Sequence, residues 1–157
     1  MLAGFRPSRK SLDNAQFMNQ ALKTLRAVQW SLLGSIVLYV AVGEMFGPRM
    51  SAMNAALSYL FSTLAVGIVG TILVVRRTLV LRAAARLALQ PDEAVSLSHW
   101  QTGYLITYVL CEVLALFGLV LRFRGSGLQE SLLFYAGGFV LLFFFRPRQP
   151  ALEKNAT

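Results

Sequence analysis

The stretch that decides the fold is 101–121, which reads QTGYLITYVLCEVLALFGLVL and contains a single charged residue, Glu112. The hydrocarbon core of a bilayer is about 30 Å thick, which a helix of about 20 apolar residues can span. A lone strand would leave unpaired amides in lipid, so a spanning segment must be helical. The stretch therefore predicts a transmembrane helix with one acid at its centre.

Three further apolar segments accompany this one, so the chain is predicted to be an all-α, integral membrane four-helix protein. The fourth segment has only 15 residues before its first charge, so it depends on Arg146 and Arg148 reaching the membrane interface. The predicted organisation is a basic amphipathic segment at 1–27, a four-span domain at 28–146 (spans 28–47, 55–75, 101–121 and 131–146, cytoplasmic loop 76–100), and a polar tail at 147–157.

Composition supports this class. Hydrophobic residues make up 56% of the chain and charged residues 14%, which excludes a disordered protein and argues against a soluble domain. The single cysteine, Cys111, and the single histidine, His99, leave no internal disulfide and no zinc cluster of His and Cys. Since no Ser/His/Asp set or phosphate-binding loop is visible either, the sequence predicts no enzyme activity, metal or cofactor.

The net charge of +8 is interpreted as an orientation signal. Twelve of the 15 basic residues fall in the N-terminal segment, the middle loop and the tail, and three (Arg49, Arg122 and Arg124) fall in the other two connections. The positive-inside rule then places both termini and the middle loop in the cytoplasm, most simply at a bacterial cytoplasmic membrane. The expected partner is the lipid bilayer, and no nucleic acid is expected.

Two cytoplasmic features are predicted to be helical. Residues 76–90 continue span two until Pro91 stops the helix, and Asp92 can cap the helix that follows. In the N-terminal segment an apolar stripe follows helical spacing, and it could lie on the anionic inner leaflet or pack on a partner. The stripe consists of Leu12, Ala15, Met18, Leu22 and Leu25.

Glu112 is the residue most suited to carry chemistry. A carboxylate at bilayer depth costs about 2.5 kcal/mol or more, so it usually faces a partner or a cavity. A carboxyl that is neutral in lipid and ionises near water can carry a proton, and Tyr108, one turn earlier, could hydrogen-bond it. The alternative is a protonated acid that serves only as a hydrogen-bonding group between helices. Glu44, near the outer end of span one, is expected to be interfacial.

Small residues recur on spans two and three, where they would let two membrane helices approach closely in a tight hairpin. The predicted helix-packing residues are Gly67, Gly70, Gly103, Thr107, Ala115 and Gly118.

The run from Glu112 to Val120, EVLALFGLV, resembles the second helix of the proteolipid (c) subunit of rotary ATP synthases, where an ion-binding acid precedes an aromatic-Gly pair. Upstream, the run 89–94, LQPDEA, is similar to that family's cytoplasmic loop. The resemblance covers about residues 60–122 and implies a c-subunit-like hairpin of spans two and three. It also implies ion binding at Glu112 and loop contacts from Gln90 and Pro91. Val113 stands where sodium-binding members carry a hydroxyl, so the implied ion is a proton.

Two functions remain open at this point. In the first, the protein binds or relays a proton through Glu112, with Tyr108 tuning the carboxyl. In the second, it is a non-catalytic accessory subunit that assembles with other membrane subunits or with itself. The absence of a soluble domain and the aromatic fourth span motivate the second.

Overall fold

A computed structural model describes residues 9–48, 55–89 and 94–147, and every regular element in these ranges is helical. The all-α prediction is confirmed. Three stretches, Gln16–Phe46, Ala56–Leu87 and Val95–Phe123, are long and apolar enough to cross a membrane, and Leu128–Phe144 is a shorter apolar helix. The elements are α1 (Arg9–Phe46), α2 (Ala55–Val75), a π-helical segment (Arg76–Leu81), α3 (Arg82–Leu89), α4 (Ala94–Phe123) and α5 (Leu128–Phe144).

Helix α1 runs without a break from Arg9 to Phe46, across the boundary predicted at residue 27. Leu22 and Leu25 are buried in the same apolar cluster as Trp100 of α4. The apolar stripe therefore packs, at these two positions, on the chain itself. The side chains of Leu12 and Ala15 lie outside the described part.

The π-helical segment keeps one face of the second long helix turned toward α4. Ile72 and Val80 are both buried, yet eight residues of regular α-helix would place them about 80° apart. A π turn, with i to i+5 hydrogen bonds, takes up more residues than an α turn and rotates the following side chains back. Val80, Ala83 and Leu87 consequently reach the core. The helix continues to Leu89 as predicted, whereas Gln90, Pro91 and Asp92 lie outside the described residues.

Helix α4 occupies the centre of the structure. Within the described ranges it packs on α1, α2, the π-helical segment, α3 and α5, whereas no Cα atom of α2 lies within 8 Å of one in α1 or α5. The pairing of spans two and three is thus present, but α4 packs more extensively on α5 and on α1 than on α2.

The α4–α5 connection is short because α4 ends in a Schellman motif. Gly125 adopts a φ of 92°, and the amides of Gly125 and Ser126 donate to the carbonyls of Arg122 and Leu121 at 3.1 and 3.0 Å. This pattern satisfies the last carbonyls of α4 and reverses the chain. Leu128 then begins α5 antiparallel to α4.

The predicted small residues of α4 form contacts, mainly with α5. A Cβ added to Gly118 would lie 2.8 Å from the Ser131 carbonyl oxygen, and Ala115 packs where a Cβ on Gly138 would come within 3.0 Å. Thr107 is buried and its hydroxyl donates to the Gly103 carbonyl at 2.8 Å.

Only one of these residues serves the predicted contact between spans two and three. A Cβ on Gly103 would lie 2.8 Å from Val80, so the helix of the second span does approach α4 closely there. The predicted role of Gly67 and Gly70 in that contact is wrong, because a Cβ at either position would meet no atom within 4 Å. Ile72 and Phe61 supply the α2 side of the contact instead, the latter with its ring centroid 5.2 Å from that of Phe117.

Candidate functional site

Glu112 faces α1. Its Oε1 accepts hydrogen bonds from the Tyr39 hydroxyl at 2.8 Å and from the Ser35 hydroxyl at 3.1 Å. No described residue donates to Oε2, and the side chain is half-buried. We call this set of three residues the Glu112 contact. An acid hydrogen-bonded between two helices is the arrangement expected from the alternative in which Glu112 serves only as a hydrogen-bonding group.

The rotation of α1 positions the two hydroxyls. Ser35 and Tyr39 are four residues apart and therefore lie on the same side of the helix. Leu33 and Ile36, buried on the neighbouring side, hold that rotation. Two hydroxyls four residues apart on span one are the sequence signal that indicates a polar partner for Glu112.

Tyr108 has a different acceptor from the one predicted. Its hydroxyl donates to the Phe145 carbonyl at 3.4 Å, and the residue is fully buried. Its ring continues an aromatic row, with centroids 6.0 Å apart for Tyr104 and Tyr108 and 5.0 Å apart for Trp100 and Tyr104. The structure therefore places Tyr108 in the aromatic packing of α4 rather than in a bond to Glu112.

A second polar contact joins the C-terminal ends of α1 and α4. The Arg122 Nε donates to Glu44 Oε1 at 2.9 Å, and Nη1 donates to the carbonyls of Pro48 and Ser126 at 3.3 and 3.2 Å. The Arg122 side chain is only 9% exposed, against 40% for Glu44. We call this the Arg122 contact. Removing the guanidinium would leave a carboxylate and two carbonyls without their donor, at a cost of about 2 kcal/mol.

The Arg122 contact corrects the expectation for Arg122 and gives Glu44 a partner. Arg122 was counted as a charge in an external connection, but it is buried at the end of α4. Glu44 was expected at the interface, and it remains partly exposed while pairing with this arginine. Gly47 makes the approach possible, since a Cβ there would lie 3.0 Å from the Arg122 side chain.

A third polar contact lies toward the other end of the bundle. The buried Gln29 side chain donates its Nε2 to the Leu142 carbonyl at 2.8 Å, joining α1 to α5. Residues 29 to 44 of α1 therefore carry polar contacts at three levels over about 22 Å of helix.

The described residues contain no group of three or more His, Cys, Asp or Glu side chains that could hold a metal ion. Cys111 is buried and unpaired. The loop residues Gln90 and Pro91, assigned a partner contact by the proteolipid resemblance, lie outside the described part.

Comparison with protein-family models, curated proteins and solved structures finds no match to this chain. The likeness to the proteolipid subunit rests on the quoted residues, and ion binding at Glu112 stays a prediction. The two functions must be weighed on the geometry of this chain.

The Glu112 contact predicts a specific stability pattern. Glu112→Gln keeps a side-chain oxygen acceptor and should change the free energy of unfolding by less than about 0.5 kcal/mol. Glu112→Leu removes the acceptor of two hydroxyls and should cost about 1–2 kcal/mol, since interhelical hydrogen bonds in membrane proteins average about 0.6 kcal/mol and reach about 1.7. Unfolding in mixed detergent micelles measures both.

Tyr39→Phe completes a double-mutant cycle with Glu112→Leu. Because both substitutions remove the same bond, their combined loss should be smaller than the sum of the single losses by about 0.6 kcal/mol. Strictly additive losses, or a Glu112→Gln variant as unstable as Glu112→Leu, would contradict the Glu112 contact.

Proposed function

We propose that this chain is an integral membrane protein that acts as a non-catalytic accessory subunit of a larger membrane assembly, with α2 as the helix that binds its partner. The observation that carries the proposal is the isolation of α2 from α1 and α5 within the described ranges. In the most apolar part of Ala56–Leu87 only 6% of residues are buried, against 44% for Val95–Phe123. An apolar helix so little covered by its own chain requires lipid or another helix around it.

The outward face of α2 is better suited to packing against another helix than to contact with lipid. Gly67 and Gly70 are exposed and leave open space above the backbone. The neighbouring hydroxyls of Thr63 and Thr71 already donate to the carbonyls of Tyr59 and Gly67 on their own helix, both at 2.9 Å. This flat face, with its side-chain hydroxyls bonded, suits close helix packing in a membrane. The partner would be a transmembrane helix of another subunit or of a second copy.

The proposed orientation follows the charge distribution, with both termini and the 76–100 connection on the cytoplasmic side of a bacterial-type membrane. Arg76 and Arg77 follow α2 directly, and Arg82 and Arg86 lie on α3. In this arrangement the Glu112 contact lies at mid-membrane and the Arg122 contact at the outer side. The two contacts give α1 and α4 a fixed pairing and leave α2 available for a partner.

Substitutions on the outward face of α2 test the proposal. After mild detergent extraction, native mass spectrometry should show the wild-type chain in assemblies heavier than the 17.3 kDa monomer. The pair Gly67→Ile and Gly70→Ile should convert most of that population to monomer, because added side chains keep the partner backbone away. Ala136→Ile, at an exposed small residue of α5, is the matched control and should leave the assemblies intact. A monomeric wild type, or assemblies indifferent to the glycine substitutions, would refute the proposal.

Proton binding at Glu112 is the second candidate function, favoured by one observation. Both hydroxyls donate to Oε1, so Oε2 of this half-buried acid is left without a donor from the described residues. An oxygen in that position can take and release a proton while the contact with α1 persists.

Carbodiimide modification in proteoliposomes tests this second function. Glu112→Gln should abolish both the labelling and any proton flux, whereas Glu130→Gln, at an exposed acid in the first turn of α5, should preserve both. Labelling and flux that survive Glu112→Gln would eliminate it.

A further inference from the structure

An apolar groove runs between α2 and α5. These two helices do not touch each other, and both pack on α4. The groove contains a cavity of about 400 Å³. Its lining includes Ser62, Ala65 and Val69 of α2, Leu114 of α4, and Leu133 and Phe134 of α5.

The same helix faces extend from this cavity to the end of α2 at which the arginines lie. Ser62, Ala65 and Val69 recur at three- and four-residue intervals, and Arg76 follows Val69 by seven residues, so it lies on the same face. Phe145, the residue that caps the C-terminus of α5, follows Phe134 by eleven residues and therefore lies at the end of the same helix face. From Ser62 to Arg76 the helix rises about 21 Å, more than the roughly 15 Å of hydrocarbon in one leaflet.

Positive charge lies at the end of the groove formed by the C-terminus of α2 and the end of α5. The Arg76 guanidinium carbon is 4.1 Å from the centroid of the Phe145 ring, so this side chain reaches from α2 to the end of α5. Arg77 and Arg146, the next residues along each segment, are exposed. In the described part of the chain the only ion pair is that of Arg122 with Glu44, so none of the described carboxylates pairs with these three arginines.

We propose that this groove binds an anionic phospholipid of the cytoplasmic leaflet, with one acyl chain between α2 and α5 and the phosphate at Arg76, Arg77 and Arg146. The occupant is identified by charge complementarity. By residue spacing, the helix faces that line the apolar cavity continue toward Arg76, and no described carboxylate pairs with Arg76, Arg77 or Arg146. Basic sites between transmembrane helices on the cytoplasmic side bind anionic headgroups. The inference rests on the membrane location in the proposed function. The α2 residues that line the cavity, Ser62, Ala65 and Val69, lie on a different face of the helix from Gly67 and Gly70.

Lipid titration of the purified full-length chain tests the site. Native mass spectrometry in detergent compares dioleoyl phosphatidylglycerol with dioleoyl phosphatidylcholine, which differ only in the headgroup. Wild type should retain the anionic lipid preferentially. Arg77→Gln and Arg146→Gln should each weaken its binding about fivefold and leave phosphatidylcholine binding unchanged. Arg124→Gln, at an exposed arginine beyond the opposite end of α4, is the matched control and should have no effect.

A separate substitution tests the part of the site that would hold the acyl chain. Ala65→Phe would fill the groove and should lower retention of both lipids, whereas Leu64→Phe, on an exposed part of α2 outside the cavity lining, should lower neither. Equal retention of the two lipids by wild type, an equal loss in Arg124→Gln and Arg77→Gln, or full retention by Ala65→Phe would overturn the lipid site. None of these results would alter the assembly masses in the Gly67 and Gly70 experiment, so the two proposals fail separately.

Discussion

Packing against α4 is the constraint on which the rest of the structure depends. In the described ranges α1 and α2 touch α4 and do not touch each other, and α2 has no contact with α5. Each side of α4 carries residues suited to one neighbour. Glu112 bonds α1, Gly118 admits α5, and Gly103 admits the helix that continues α2. Helix α2 is therefore placed by α4 alone, whereas α1 and α5 also contact each other.

The polar contacts explain how α1 and α5 hold their positions around α4. Apolar burial gives little preference for one helix rotation over another when lipid is as apolar as the neighbouring helix. A hydrogen bond from Tyr39 or Gln29 forms at only one rotation of α1, and the guanidinium of Arg122 adds donors fixed in a plane. No comparable side-chain bond between helices joins α2 to α4 among the described residues. That difference is the physical reason for treating α2 as the helix open to partners and lipid.

Hydropathy predicted which segments are helical and long enough to span a membrane, because length and composition alone decide that property. It could not predict which faces meet. Gly67 and Gly138 are alike as small residues in apolar helices, yet only the second lies against a neighbouring backbone, where a Cβ would be 2.7 Å from the Cys111 carbonyl. Tyr108 was chosen as the partner of Glu112 by proximity along one helix, whereas Tyr39 reaches it across the bundle. Arg122 could not be recognised as a buried residue, since its partners come from α1 and from the turn after α4.

Glu112 faces α1 and not α2. Cysteine cross-linking tests this orientation directly. Pairs of cysteines are introduced in a Cys111→Ala background, and the membranes are treated with a short bis-methanethiosulfonate reagent. The 3.1 Å contact of Ser35 with Glu112 predicts efficient cross-linking when Ser35→Cys is combined with Glu112→Cys, and no comparable product when Val69→Cys of α2 replaces the α1 cysteine. Preferential cross-linking of position 112 to position 69 would contradict the account.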